Sequence, residues 1–267
     1  MSGQIRIGVG GWTFEPWRGV FYPESLKQKD ELAYASRKLT AIEINGTYYS
    51  SFKPPSWRKW RDETPDDFIF AVKASRFCVN RRELVTAGES VERFFAQGIE
   101  ELGTRLGPVL WQLAPTKKFD PDDLDGFLAL LPKTLGGRPL RHALEVRHAS
   151  FHAPAFAALL RKHAVACVYA KHATYPEIAD VTADFVYARL QTGRDEIETA
   201  YPPPELDAWA ERFKHWADGG APTDLPLVDQ TLEPSKAPRD VFAFVIHEGK
   251  VRAPAAAMAL IERVREF

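Results

Sequence analysis

Eight short, nearly continuous apolar runs recur along this chain from end to end, with helix-like segments between them. That rhythm constrains the fold more than any other feature. The runs are rich in β-branched and aromatic residues and predict strands at Ile5–Trp12, Ala41–Tyr49, Phe68–Ser75, Pro108–Ala114, His142–His148, Ala166–His172, Asp184–Gln191 and Asp240–His247. A run that is apolar at nearly every position, rather than at every second one, marks a strand covered on both faces, as in a parallel sheet. Helices are predicted over Glu24–Lys38, Ser56–Glu63, Glu89–Leu102, Pro121–Leu131, Pro154–His163, Glu205–Ala217 and Pro254–Val264, with Asp120 placed to cap the fourth.

Strand–helix alternation builds right-handed βαβ units, and eight of them in a chain of 267 residues is the count of a TIM barrel. The expected fold is a single α/β domain over residues 1–267, with eight parallel strands and surrounding helices. Only 18 residues separate the starts of the sixth and seventh strands, room for a short sixth helix around Tyr175–Ala179. The starts of the seventh and eighth strands are 56 residues apart, which leaves an extended seventh connection that includes the Pro-rich stretch Gly219–Arg239. An open doubly wound sheet is the rival fold. The GVGG at Gly8–Gly11 does not decide for it, because it lacks the spacing of a dinucleotide fingerprint.

Composition excludes several classes of function. With 35 basic and 36 acidic residues the net charge is −1, so nothing global draws the chain to nucleic acid or an anionic membrane. Cys78 and Cys167 are far apart and lack a metal-ligand spacing, which argues against a disulfide framework and for a cytoplasmic setting. No apolar run reaches about 18 residues, and the N-terminus carries no signal pattern, so no membrane association is expected. A P-loop, a GxSxG elbow and an HExxH pair are all missing from the sequence.

The informative feature is charge where a buried strand should have none. Glu43 and Asn45 interrupt the second strand, Lys73 the third, Gln112 the fourth, Glu145 and Arg147 the fifth, and Arg189 the seventh. Alternation puts Glu43 with Asn45, and Glu145 with Arg147, on one face of their strands. An unpaired charge on the dry, helix-facing side would be very costly. These side chains are therefore expected to point into the barrel near the strand C-termini, where barrel active sites lie. The competing explanation is a structural ion-pair plug, although buried ion pairs are a poor way to gain stability.

The loops that follow add Trp12 after the first strand, Tyr48 after the second, and Arg76, Arg81 and Arg82 after the third. Aromatic rings beside cations can stack a base or sugar and hold a phosphate. Ordinary loop packing and a solvated charge run are the bland explanation for Arg81 and Arg82. His148 ends the fifth strand beside Arg147, but three residues from Glu145 it faces the opposite way and makes no ready chelate. No metal site and no cofactor are expected; a divalent metal held by residues of several strands is the weaker alternative.

The blocks GVGGWTFEPWRGVFYP, AIEINGTYY, FAVKASRF, GPVLWQLAP, ALEVRHASF and FVYARLQTG, in that order, resemble those of the YecE-like family of uncharacterised proteins. The resemblance runs from about Ile5 to Val264 and implies a TIM barrel. It also implies a pocket built from Glu43, Asn45, Tyr48, Lys73, Gln112, Glu145, Arg147, His148 and Arg189, but no reaction. The family's usual His-Gly after the seventh strand is replaced by Gln191-Thr192-Gly193, and its usual asparagines after the eighth by Ile246-His247-Glu248. Asn80 or a neighbour stands where a His is common. Roles the family gives those positions are not carried to this chain.

The resulting expectation is an enzyme of hydrolase or lyase/isomerase type working by acid–base chemistry on a small anionic molecule, such as phosphate or a phosphorylated metabolite. Glu43, Lys73, Glu145 and Arg147 are the expected catalytic residues, with Glu145 or Glu43 as general acid or base and Lys73 as an alternative proton-transfer group. Trp12, Asn45, Tyr48, Gln112, His148 and Arg189 are the expected binding residues. Three alternatives stand: a nucleic-acid-binding or endonuclease-like barrel, a glycoside hydrolase using Glu43 and Glu145, and a non-catalytic ligand-binding barrel.

Overall fold

In the computed structural model, which describes residues 2–231 and 235–265, the eight apolar runs form strands that hydrogen-bond in chain order and close on themselves. They are β1 (Ile5–Gly10), β2 (Ala41–Ile44), β3 (Ile69–Lys73), β4 (Leu106–Gln112), β5 (His142–Glu145), β6 (Ala166–Lys171), β7 (Phe185–Thr192) and β8 (Asp240–Glu248). Every neighbouring pair is parallel, and β8 closes the barrel on β1 with Ile7 beside Ala243 and Val9 beside Val245. The expected TIM-type barrel is thus the observed one.

Each strand buries both faces, which is why its sequence is apolar throughout. Outward-facing Ile7, Val9, Ile42, Val72, Trp111 and Leu144 belong to the shell packed under the helices. Inward-facing Ala41, Ala71, Leu110 and Ala143 face the bulkier Tyr187, Phe242 and Phe244 in a separate cluster. Small residues on one side and rings on the other fill the lumen, so it is a packed core rather than a pore. Gly8 has no alternative: a Cβ there would lie 1.8 Å from the Ala41 carbonyl oxygen of the adjoining strand.

Outside the barrel lie α1 (Glu31–Ala35), α2 (Pro54–Asp62), α3 (Arg76–Val79), α4 (Gly88–Phe95), α5 (Pro121–Ala129), α6 (Pro154–Lys162), α7 (Pro203–Ala217) and α8 (Ala253–Arg265). The Asp120 carboxylate accepts from the backbone N–H groups of Asp122 and Asp123, capping α5 as expected. Two helices are shorter than predicted. The Glu24–Lys38 segment is helical only over Glu31–Ala35 after a 3-10 turn at Gln28–Asp30. The segment from Glu89 breaks after Phe95, where Gly98 takes φ 99°, and resumes as 3-10 turns over Ile99–Arg105.

The expected short sixth helix does not form. Between Lys171 and Phe185 the chain runs without helix, and its polar backbone finds partners in the seventh connection instead. Ala179 N donates to Pro226 O at 2.8 Å, while Val228 N and Asp229 N donate to the Asp180 carboxylate at 2.8 and 3.0 Å. Arg161 of α6 pairs with both Asp180 and Asp229. The extended seventh connection therefore covers the ground left by the missing helix; residues 232–234 of it lie outside the described residues. Two strands end three or more residues before their predicted bounds. β2 stops at Ile44, where Asn45 turns into a 3-10 turn, and β5 stops at Glu145.

Candidate active site

Strand parity places the intrusive charges where an apolar interior would otherwise continue. Glu43 on β2, Glu145 on β5 and Arg189 on β7 meet inside the barrel above the Tyr187–Phe244 layer. Arg189 donates from Nη2 to Glu43 Oε1 at 2.9 Å and from Nε to Glu43 Oε2 at 3.1 Å. Its Nη1 donates to Glu145 Oε2. The Tyr187 hydroxyl donates to Glu43 Oε2 at 2.6 Å. Glu145 Oε1 in turn accepts from Gln112 Nε2 at 3.0 Å and from Arg147 Nε at 2.7 Å. One guanidinium thus bridges two carboxylates, and Glu43, Glu145, Arg147 and Arg189 are paired with one another. Both carboxylates are 0% exposed and Arg189 is 4% exposed, so this layer is sealed.

Above it lie partly exposed groups. Lys73 Nζ sits 4.4 Å from the centre of the Tyr48 ring, and the Tyr48 hydroxyl accepts from Asn80 Nδ2 at 2.9 Å. Arg147, whose Nε is bound to Glu145, lays its guanidinium 4.6 Å from the centre of the Tyr175 ring. The His172 ring stacks on the other partner of that contact, 3.9 Å from Tyr175 and 5.5 Å from His247. Among the described residues Lys73 has no carboxylate partner.

The electrostatics separate the two levels. Burial alone would raise the Glu145 carboxyl, but Arg189 and Arg147 outweigh it and hold it at about 2. Burial lowers Arg189, and Glu145 and Glu43 more than reverse this, so the guanidinium is locked in its charged form. Tyr187 is pushed well above the ordinary phenol range by burial and by Glu43, and it serves as a neutral donor. Lys73 is the exception: burial, then the charge of Arg189, lower its ammonium from 10.5 to about 8 against the smaller opposing pull of Glu43 and Glu145. His172 is lowered by burial and by His247.

These contacts gather Glu43, Lys73, Gln112, Glu145, Arg147 and Arg189 around one end of the barrel, with Tyr48 on Lys73. Asn45 stands at the rim, its Nδ2 donating to Glu43 O at 3.3 Å and filling the space where a Gly10 Cβ would be, 2.8 Å away. Two residues lie apart. Trp12 packs edge-on against Trp60 of α2 and Phe70 of β3, 5.1 and 6.2 Å between centres, in the shell outside the sheet. His148 bonds Ser150 Oγ at 2.8 Å and accepts from Ser150 N at 3.1 Å, fixing the turn after β5. Arg81 is bound to the Phe77 and Thr86 carbonyls, as loop packing requires.

Three further groups at the site carried a weaker sequence signal or none. Tyr187 is two residues from Arg189 on the same strand face, so parity alone could have identified it. Gln191 continues that face, and its Nε2 is buried without a hydrogen-bond partner among the described residues. Tyr175 comes from an irregular loop and left no signal. Among the described residues no group of three or more His, Cys, Asp or Glu side chains is placed to hold a metal ion. Both cysteines are free and buried, and burial pushes the Cys78 thiol up to about 12 and Cys167 higher still. No described helix is long and apolar enough to cross a membrane.

Fold and site together define a TIM barrel whose C-terminal mouth is floored by an ion-pair network. Within that class the chain belongs to the family described as "Protein of unknown function DUF72", which it matches over residues 6–267. It is similar to the UPF0759 protein YecE of Escherichia coli K12, 28% identical over 149 residues, 56% of this chain and 50% of that one. It is also 27% identical over 157 residues to the UPF0759 protein YunF of Bacillus subtilis, covering 57% and 54% of the two chains. The matched stretches thus span about half the length of these curated relatives. Among solved structures, a DUF72 family protein of Thermotoga maritima superposes with TM-score 0.72 at 24% identity over 99% of this chain and 100% of that one. SacUVDE superposes with TM-score 0.55 at 8% identity over 97% and 98%, a likeness of fold alone.

Proposed function

We propose that the mouth binds a small anionic molecule, a phosphate or phosphorylated metabolite, and that the protein is an enzyme performing acid–base chemistry on it. The observation that carries this reading is Lys73. Every other ion of the cluster is paired, whereas Lys73 is partly exposed, lacks a carboxylate partner among the described residues and is poised at about 8. A general base or acid works best with a pKa near the operating pH. An anion would seat between the Lys73 ammonium and the outer edge of Arg147, whose Nε alone is committed to Glu145.

The acids take a different part from the one their sequence suggests. Glu145 at about 2 cannot donate a proton near neutrality, and three donors occupy its oxygens. Glu43 and Glu145 therefore act as positioning residues that aim Arg189 and Arg147. The same geometry weighs against glycoside hydrolysis, because the Arg189 guanidinium sits between the two carboxylates where a glycosidic bond would have to lie. An endonuclease-like role has only distant likeness of fold behind it.

Mass spectrometry of small anions that copurify with the protein tests this reading. An anion retained by the wild type and lost from both Lys73→Met and Arg147→Met supports it. An anion retained equally by both variants, at sites these residues do not control, counts against it.

A further inference from the structure

A cavity of about 730 Å³ opens between the loops that follow β3 and β4. Its volume is that of a small-molecule site. It adjoins the mouth on two sides. Asn80 on one wall donates to the Tyr48 hydroxyl, and Tyr48 is the ring that lies against Lys73. Ala114 on the other wall is two residues beyond Gln112, whose amide is bound to Glu145.

Four cations line this cavity, and two of them are already engaged. Arg81 is bound to the Phe77 carbonyl, the Thr86 carbonyl and Ser90 Oγ; Lys117 is bound to Asp123 and the Arg82 carbonyl. The acid in the lining, Asp120, has its carboxylate turned to the N-terminus of α5. The remaining cations, Arg82 and Lys118, are exposed and have no ion pair or side-chain hydrogen bond among the described residues. Two unpaired cations in a concave wall focus positive potential on the space between them. The Arg fork also suits the flat or tetrahedral oxygen arrays of carboxylate and phosphate.

We propose that this cavity is a second anion subsite, and that the ligand of the mouth is an elongated molecule bearing two anionic groups. Lys73 and Arg147 hold one group, and Arg82 and Lys118 hold the other. The inference rests on the mouth being an anion site and adds the class of ligand: a bisphosphate or its carboxylate counterpart, rather than a single small anion.

Isothermal titration with inorganic phosphate and with 1,6-hexanediol bisphosphate tests it on the wild type, Lys73→Met and the double variant Arg82→Ser/Lys118→Ser. Because Arg82 and Lys118 are exposed and unpaired, the double variant should unfold at the wild-type midpoint. The wild type is expected to bind two phosphates per chain and each variant one, with bisphosphate about tenfold weaker in the double variant. Unchanged stoichiometry and bisphosphate affinity in the double variant overturn the subsite and leave the mouth reading intact. Loss of a phosphate from the double variant but not from Lys73→Met overturns the mouth reading, and with it the two-point ligand. Binding of a duplex oligonucleotide that depends on Arg82 and Lys118, without bisphosphate binding, assigns the cations to a nucleic-acid backbone and overturns the proposal as well.

Discussion

Arg189 on β7 reaches across the lumen to Glu43 on β2 and engages both of its carboxylate oxygens, at 2.9 and 3.1 Å. Its third nitrogen serves Glu145, so a single buried guanidinium neutralises two buried acids. Removing one member of such a network leaves uncompensated charge in a dry interior. Arg189→Met should cost about 3–5 kcal/mol of unfolding free energy at pH 7, read from urea denaturation. The deficit should shrink as pH falls and the stranded carboxyls take up protons; a pH-independent deficit would point to lost packing instead.

Two groups should make acid unfolding proceed in separable steps. His142 accepts from Trp111 Nε1 at Nδ1 and faces the Pro132 carbonyl with Nε2, an arrangement that fits the neutral ring. Burial lowers it from 6.5 to about 4, so between those values the unfolded chain takes a proton that the folded one refuses, and stability is lost as the pH drops from 6.5 toward 4. Glu145, lowered from 4.5 to about 2, keeps its contribution above 4.5 and loses it as pH drops toward 2. Each step is on the order of 3 kcal/mol. Stability measured against pH should flatten over the upper window in His142→Gln and over the lower one in Glu145→Gln.

Lys73 should be a stability cost retained for function. Its folded value of about 8 lies below the solvent value of 10.5, so wild-type stability should rise with pH between them and be full above 10.5. Lys73→Met should stabilise the protein by about 2 kcal/mol at pH 7, after allowance for its partial exposure, and the gain should vanish near pH 10.5. Thermal unfolding at the two pH values checks both signs.

Gly8→Ala should prevent the barrel from closing normally. The added methyl would overlap the Ala41 carbonyl at 1.8 Å, and backbone on the neighbouring strand cannot rotate away. A loss of at least about 3 kcal/mol, or failure to fold, is expected in chemical denaturation. Gly11→Ala, with open space around its Cβ but φ 72°, should cost less, about 1 kcal/mol from backbone strain.

The barrel was legible because strands buried on both faces have to be apolar throughout, and the candidate site stood out because Glu43, Lys73, Glu145 and Arg189 broke that rule. Parity alone placed the acids and Arg189 on one side. It could not say that Arg189 would engage both acids and leave Lys73 without a carboxylate partner among the described residues, since that depends on side-chain reach across the lumen. Trp12 misled for a related reason: an aromatic just past a strand end can turn to either side, and here it joins Trp60 and Phe70 outside the sheet. The sixth connection was illegible because its hydrogen-bond partners, Pro226 to Asp229, lie some 50 residues downstream.

Titration of Lys73 itself is the most direct measurement. In protein carrying 13C-labelled lysine, the Lys73 Cε resonance, assigned by its absence from Lys73→Met, can be followed against pH with and without inorganic phosphate. The predicted result is a midpoint near 8 that moves upward when phosphate is added, since a bound anion favours the ammonium. A midpoint near 10.5 that phosphate leaves in place would contradict the assignment of Lys73 as the poised group of an anion site.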